Sequence, residues 1–143
     1  MRKKIDSHSL KILMLLKFDA NRLFDRIKYR APEYLYEFSL KRTRDHFLEI
    51  FKNRYEIIAF QDLLLCGPEV LVALDQYYSL VDELRWYLNH TQDLPNRIED
   101  KVFAYIKELE RVIGILNLFI EAELNQDLDS LQKIVDNKVN DKN

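Results

Sequence analysis

Apolar residues recur along this chain at alternating steps of three and four. Leu13, Leu16, Ala20, Leu23 and Ile27 form the first stripe, the spacing that puts side chains on one face of a helix. Ser7 or Ser9 can cap its first turn. Ala31-Pro32 is expected to end it, because the residue before a proline avoids helical geometry and Pro32 suits the first position of a new helix. A second helical segment then runs from about Pro32 to Leu65. It has one apolar cluster at Tyr34, Leu35 and Phe38 and another at Leu48, Phe51, Tyr55, Ile58 and Leu65, separated by the polar stretch Lys41-Arg42-Thr43-Arg44-Asp45. One long helix with a solvated middle and two helices with a bend both fit this pattern.

Cys66-Gly67-Pro68 closes the segment, with glycine suited to a helix end and proline to a helix start. The third helix is predicted from Pro68 to about His90, with Val70, Leu74, Tyr77, Val81, Leu84 and Leu88 facing inward. A break at Thr91-Gln92-Asp93-Leu94-Pro95 follows, with Asp93 as the expected cap. The fourth helix has the most regular pattern: Ile98, Val102, Tyr105, Leu109, Val112, Leu116 and Phe119. It continues more weakly through Leu124, Leu128, Leu131 and Val135, with a candidate interruption at 125–129 and a tail expected to fray after about residue 139. These stripes predict an all-α chain, an up-and-down four-helix bundle with a C-terminal helical extension, forming one domain over residues 1–143.

Composition supports that architecture. In 143 residues, 48 % are apolar, enough for one core, while two glycines and three prolines supply too few turns for an all-β fold. The single Cys66 excludes an intramolecular disulfide and any zinc site of several thiolates, and points to a reducing, cytoplasmic compartment. Arg2-Lys3-Lys4 precedes an apolar run, but Lys11 and Lys17 bracket that run and no small-residue cleavage site follows, so it reads as the start of a helix. The longest apolar stretch, Val112 to Ile120, is too short to span a bilayer. Charge is uneven: 14 Lys/Arg against 10 Asp/Glu in residues 1–71, and 8 against 14 in residues 72–143.

Catalytic and metal-binding patterns are sparse. A di-iron bundle needs Glu-x-x-His motifs, yet the residues three before His8, His46 and His90 are Ile5, Thr43 and Tyr87. His46 and Glu49 share a face beside Asp45, which reads as a surface contact, so no metal and no cofactor is expected. Cys66 at a helix C-terminus is placed against thiolate formation, Ser39 and Ser79 lack a histidine at a suggestive spacing, and two glycines cannot make a phosphate loop.

Binding signals are more promising. Arg22, Arg26 and Arg30 step by four along the first helix; Lys41, Arg42 and Arg44 follow, then Lys52 and Arg54. An anionic partner, RNA or an acidic protein face, suits such residues. The interspersed Asp25, Glu33, Glu37 and Asp45 favour a solvated face instead, since nucleic-acid patches are usually more one-sided. Trp86 stands on the polar side of the third helix with Ser79, Asp82, Glu83, Asn89 and His90, either as an exposed anchor or covered by the C-terminal segment. Residues 112–120 are apolar around nearly the whole helix, which suits deep burial or a second subunit, and Gly114 in their midst suits a close backbone approach.

The run Leu84-Arg85-Trp86-Tyr87-Leu88-Asn89-His90, followed by Leu94-Pro95, resembles the arginine–four residues–histidine signature of HEPN domains. These are small helical bundles, many of them ribonucleases or components of toxin and defence systems that act as dimers. The resemblance implies that Arg85 and His90 contact an RNA backbone and help cleave it. Trp86 stands where active members usually carry a polar residue, so the resemblance is open to a catalytic or a catalytically degenerate form. The residues themselves favour a non-enzymatic helical protein–protein interaction module (a regulator, adaptor or small chaperone). It would bind a protein partner or form a homodimer through Trp86, Arg22, Arg26, Arg30, Arg42 and Arg44. A HEPN-like RNA-binding or RNase domain is the alternative.

Overall fold

Leu13, Leu16, Ala20, Leu23 and Ile27 are fully enclosed, and the helix they line, α1, spans Ser7–Lys41. In this computed structural model residues 7–41 and 44–141 are described; the side chains of Lys41, His46, Leu48 and residues 127–141 lie outside the description. The expected stop at Ala31-Pro32 is overturned, because α1 continues through Pro32. A proline inside a helix costs about 3 kcal/mol through a lost hydrogen bond and a steric clash. Ala31, Leu35 and Phe38 are nevertheless buried in phase with Ile27. Enclosing a residue such as Leu35 or Phe38 returns about 1.5–3 kcal/mol each, so packing outweighs the local preference.

Neither form of the predicted second helix is observed. The segment contains α2 (Asp45–Ile50), a 3-10 turn (Tyr55–Ile57) and α3 (Phe60–Leu63). Side chains have taken the backbone groups that a continuous helix would need. The Asn53 amide donates to the Phe51 carbonyl (3.1 Å), and its oxygen accepts the Glu56 amide (3.2 Å). From α1, the Arg26 guanidinium donates to the Lys52 carbonyl (2.6 Å), and Asp19 accepts the Arg54 amide (2.8 Å). Such local competition breaks helices at polar residues.

The helix α4 (Pro68–His90) keeps its predicted bounds, and all six residues of its predicted stripe are buried. Its first free amide, that of Gly67, donates to Glu123 Oε1 at 2.6 Å, so a carboxylate from the last helix closes its positive end. That last helix, α5, spans Pro95–Asp141 without a break at 125–129 and beyond the expected fraying point; Lys142 and Asn143 lie outside the described residues. The Asp93 carboxylate accepts the Tyr87 hydroxyl (2.8 Å). This bond holds Asp93 below its usual carboxylate range and, with burial as the larger cause, Tyr87 above its own. Along α5, Ile106, Ile113 and Ile120 are in the core, whereas Phe119 is 40 % exposed, against expectation. A 3.6-residue helix drifts by about 20° per heptad against a seven-residue pattern, which moves the inward position from 119 to 120.

Side-chain pairs give the topology. Lys17–Glu121 (3.0 Å), Asn21–Asn117 (2.9 Å) and Lys28–Glu110 (3.8 Å) run α1 antiparallel to α5. Arg44 reaches the Leu88 carbonyl at one end of the bundle, and His8 meets Asp62 (2.9 Å) at the other. The broken segment therefore descends beside α1, α4 rises and α5 descends. The all-α up-and-down bundle is the observed fold, with its second position built from short helical pieces.

Candidate functional site

Between α1 and the 51–54 turn lies a cleft of about 520 Å³, lined by Leu15, Phe18, Asp19, Arg22 and Arg26 on α1 and by Lys52, Asn53 and Arg54 on the facing lip. Its floor is Asp19, which is buried. One carboxylate oxygen accepts the Arg54 amide and the other accepts the Tyr78 hydroxyl at 2.6 Å. Tyr78 stacks on Tyr55 with ring centroids 4.0 Å apart and meets Tyr77 edge-on; the Tyr77 hydroxyl donates to the Ala20 carbonyl at 2.8 Å. Burial raises the pKa of both Tyr77 and Tyr78, and the Asp19 charge adds to it, through a hydrogen bond in the case of Tyr78. The tyrosine layer thus holds Asp19 in place, and Asp19 holds the lip.

Above that floor the cleft is cationic. Arg26 is committed to the Lys52 carbonyl, and Lys52 pairs with Glu49 at 2.9 Å. The guanidiniums of Arg22 and Arg54 carry no ion pair among the described residues. Leu15 and Phe18 at the cleft mouth are 50 % and 48 % exposed. A shallower hollow of about 420 Å³ continues the groove along α1 past Arg22, Asp25, Arg26, Tyr29 and Arg30. Guanidiniums without partners bind carboxylates and phosphates in forked geometry.

The other expected binding residues are dispersed. Arg44 is not a surface cation. It donates to the carbonyls of Leu88 and Thr91, the latter through a very short contact, and its guanidinium lies 5.4 Å from the Phe38 ring centroid. The carbonyls left without intrahelical partners at the end of α4 draw it inward. Arg42 lies outside the described residues. Trp86 is 63 % exposed and stacks on His90 at 4.8 Å, away from the cleft-lining residues. The His90 Nδ1 atom is 2.9 Å from the Trp86 carbonyl oxygen, and Arg85 is 3.3 Å from Glu56. A separation of five residues sets Arg85 and His90 roughly 140° apart around α4. On α5, Leu118 and Phe119 are exposed, and a side chain added at Gly114 would meet nothing within 4 Å.

Sequence reasoning passed over Asp19, Leu15 and Phe18. The available signal was a carboxylate wedged between Phe18 and Ala20 at the edge of an apolar stripe. Among the described residues, no group of three or more His, Cys, Asp or Glu side chains is placed to hold a metal, and no helix is long and apolar enough to cross a membrane. The chain matches no family model, no curated protein and no solved structure at a significant level.

Proposed function

We propose that this chain is a helical protein–protein interaction module, acting as a regulator or adaptor through the cleft face of α1. The observation that carries this reading is the adjacency of Arg22 and Arg54, whose guanidiniums have no ion pair among the described residues, to the exposed apolar pair Leu15 and Phe18. Met14 on α1 is exposed as well, as are Ile57, Phe60 and Leu64 in the segment that follows the lip along the chain. Exposed apolar side chains rimmed by charge characterise docking surfaces. A cytoplasmic setting agrees with a single buried thiol, Cys66. The test is comparative affinity capture from the native cell with wild type and a Leu15→Ser/Phe18→Ser variant of unchanged melting temperature. A partner retained by wild type and lost by the variant supports the proposal. Identical capture by both refutes it.

Self-association through α5 is a second reading, favoured by Leu118 and Phe119 facing outward beside the open space at Gly114. Sedimentation velocity on wild type and Leu118→Arg tests it. A dimer that the variant dissolves is the expected result, and a wild-type monomer at all concentrations rejects the idea.

A further inference from the structure

We propose that the basic cleft takes a short acidic segment of the partner protein, in which carboxylates stand beside a bulky apolar side chain. This rests on the interaction reading above and specifies the chemistry of its partner. Four cations converge on the cleft, and each has a distinct assignment. Arg26 holds the Lys52 carbonyl, and Lys52 is shared with Glu49, which leaves Arg22 on one wall and Arg54 on the other for an incoming anion. Among the described residues Asp19 makes no ion pair with either guanidinium; its two oxygens accept the Arg54 amide and the Tyr78 hydroxyl. A volume of about 520 Å³ lies within the roughly 300–1,000 Å³ typical of cavities that engulf a ligand group.

The rim narrows the choice of occupant. Leu15 and Met14 are aliphatic and exposed beside Phe18, so the mouth offers greasy contact more than a stacking platform for bases. The groove along α1 is interrupted by Asp25, and Glu33 and Glu37 follow further along the chain. A phosphate strand would meet those acids, whereas a peptide placing one or two carboxylates on Arg22 and Arg54 and an apolar side chain on Leu15 and Phe18 satisfies both halves of the cleft.

Selection of a random dodecapeptide library on the immobilised full-length chain tests this. Enrichment of Asp or Glu next to Leu, Met, Phe or Trp is expected. Binding of the enriched peptides should weaken about tenfold or more in Arg22→Glu/Arg54→Glu and fall with added salt. Amide shifts should concentrate at residues 15–26 and 52–54. Both arginines lie off the core, and Arg22→Gln/Arg54→Gln provides a milder variant should charge reversal disturb folding. Three results overturn the proposal: no acidic enrichment, peptide binding indifferent to both variants, or a twelve-nucleotide single-stranded RNA that binds more tightly than any peptide and is lost with the same substitutions. Enriched peptides that are apolar and uncharged, yet depend on Leu15 and Phe18, would defeat this inference while leaving the interaction reading standing.

Discussion

Replacing Asp19 should be among the most damaging single changes in this molecule. The Asp19→Ala substitution removes the acceptor for the Arg54 amide and the Tyr78 hydroxyl, held at 2.8 Å and 2.6 Å. A hydrogen bond to a charged acceptor contributes about 1.5–3 kcal/mol, and a buried donor left without a partner loses that contribution. The expected cost is about 3–5 kcal/mol, a large share of the roughly 5–15 kcal/mol that stabilises a domain. Asp19→Asn retains one carbonyl oxygen but turns an NH₂ group toward the other donor, so about half of the loss, about 2 kcal/mol, is expected. Urea titrations followed by circular dichroism measure both, provided the denaturant slope is unchanged. A double-mutant cycle with Tyr78→Phe should return a coupling of about 1–2 kcal/mol. A change within about 0.5 kcal/mol for Asp19→Ala, the level of an ordinary surface substitution, would refute the assignment of Asp19 as the clamp on the lip.

Alkaline pH should destabilise the fold through Tyr77 and Tyr78, whose native pKa values are raised from 10.0 chiefly by burial. Their contribution is complete below about pH 10 and declines above it as the unfolded chain releases protons the native state keeps; the slope is at most about 2.7 kcal/mol per pH unit for two groups. Melting temperatures across that range in wild type and Tyr78→Phe check this, and the variant should lose part of the slope. Arg44→Ala should cost about 2 kcal/mol in a urea titration, because it frees the Leu88 and Thr91 carbonyls and uncovers Phe38. Lysine at position 44 should rescue only part of that loss, lacking the guanidinium fork. Gly114→Ala should raise stability by about 0.8–1 kcal/mol, since the new methyl group meets nothing within 4 Å in the chain. A lower melting temperature at Gly114→Ala would contradict that expectation.

Helix identity was most legible where punctuation and periodicity agreed. Gly67-Pro68 and the stripe from Val70 to Leu88 delimit α4 correctly, because both local preference and burial favour that register. Pro32 misled because its local cost is visible in sequence, whereas the enclosure of Leu35 and Phe38 that overrides it is a tertiary fact. The break after Phe51 was hidden for a related reason. Two of the groups that disrupt the helix, Asp19 and Arg26, lie 35 and 26 residues from the backbone atoms they hold. Of the candidate site, Arg22 and Arg26 were legible as basic steps of four. Their convergence with Lys52 and Arg54 was not, and neither was the inward turn of Arg44, since charge alone does not indicate which carbonyls await a donor.

The bonds from α1 to the cleft lip, Arg26 to the Lys52 carbonyl and Asp19 to the Arg54 amide, grip peptide groups and ignore the side chains at positions 52 and 54. Shape and chemical identity are therefore separable on that rim. Substitution at either position can rewrite which molecules are welcomed without dismantling the frame that presents them. Such a rim is evolvable, and it is a natural place to graft new selectivity.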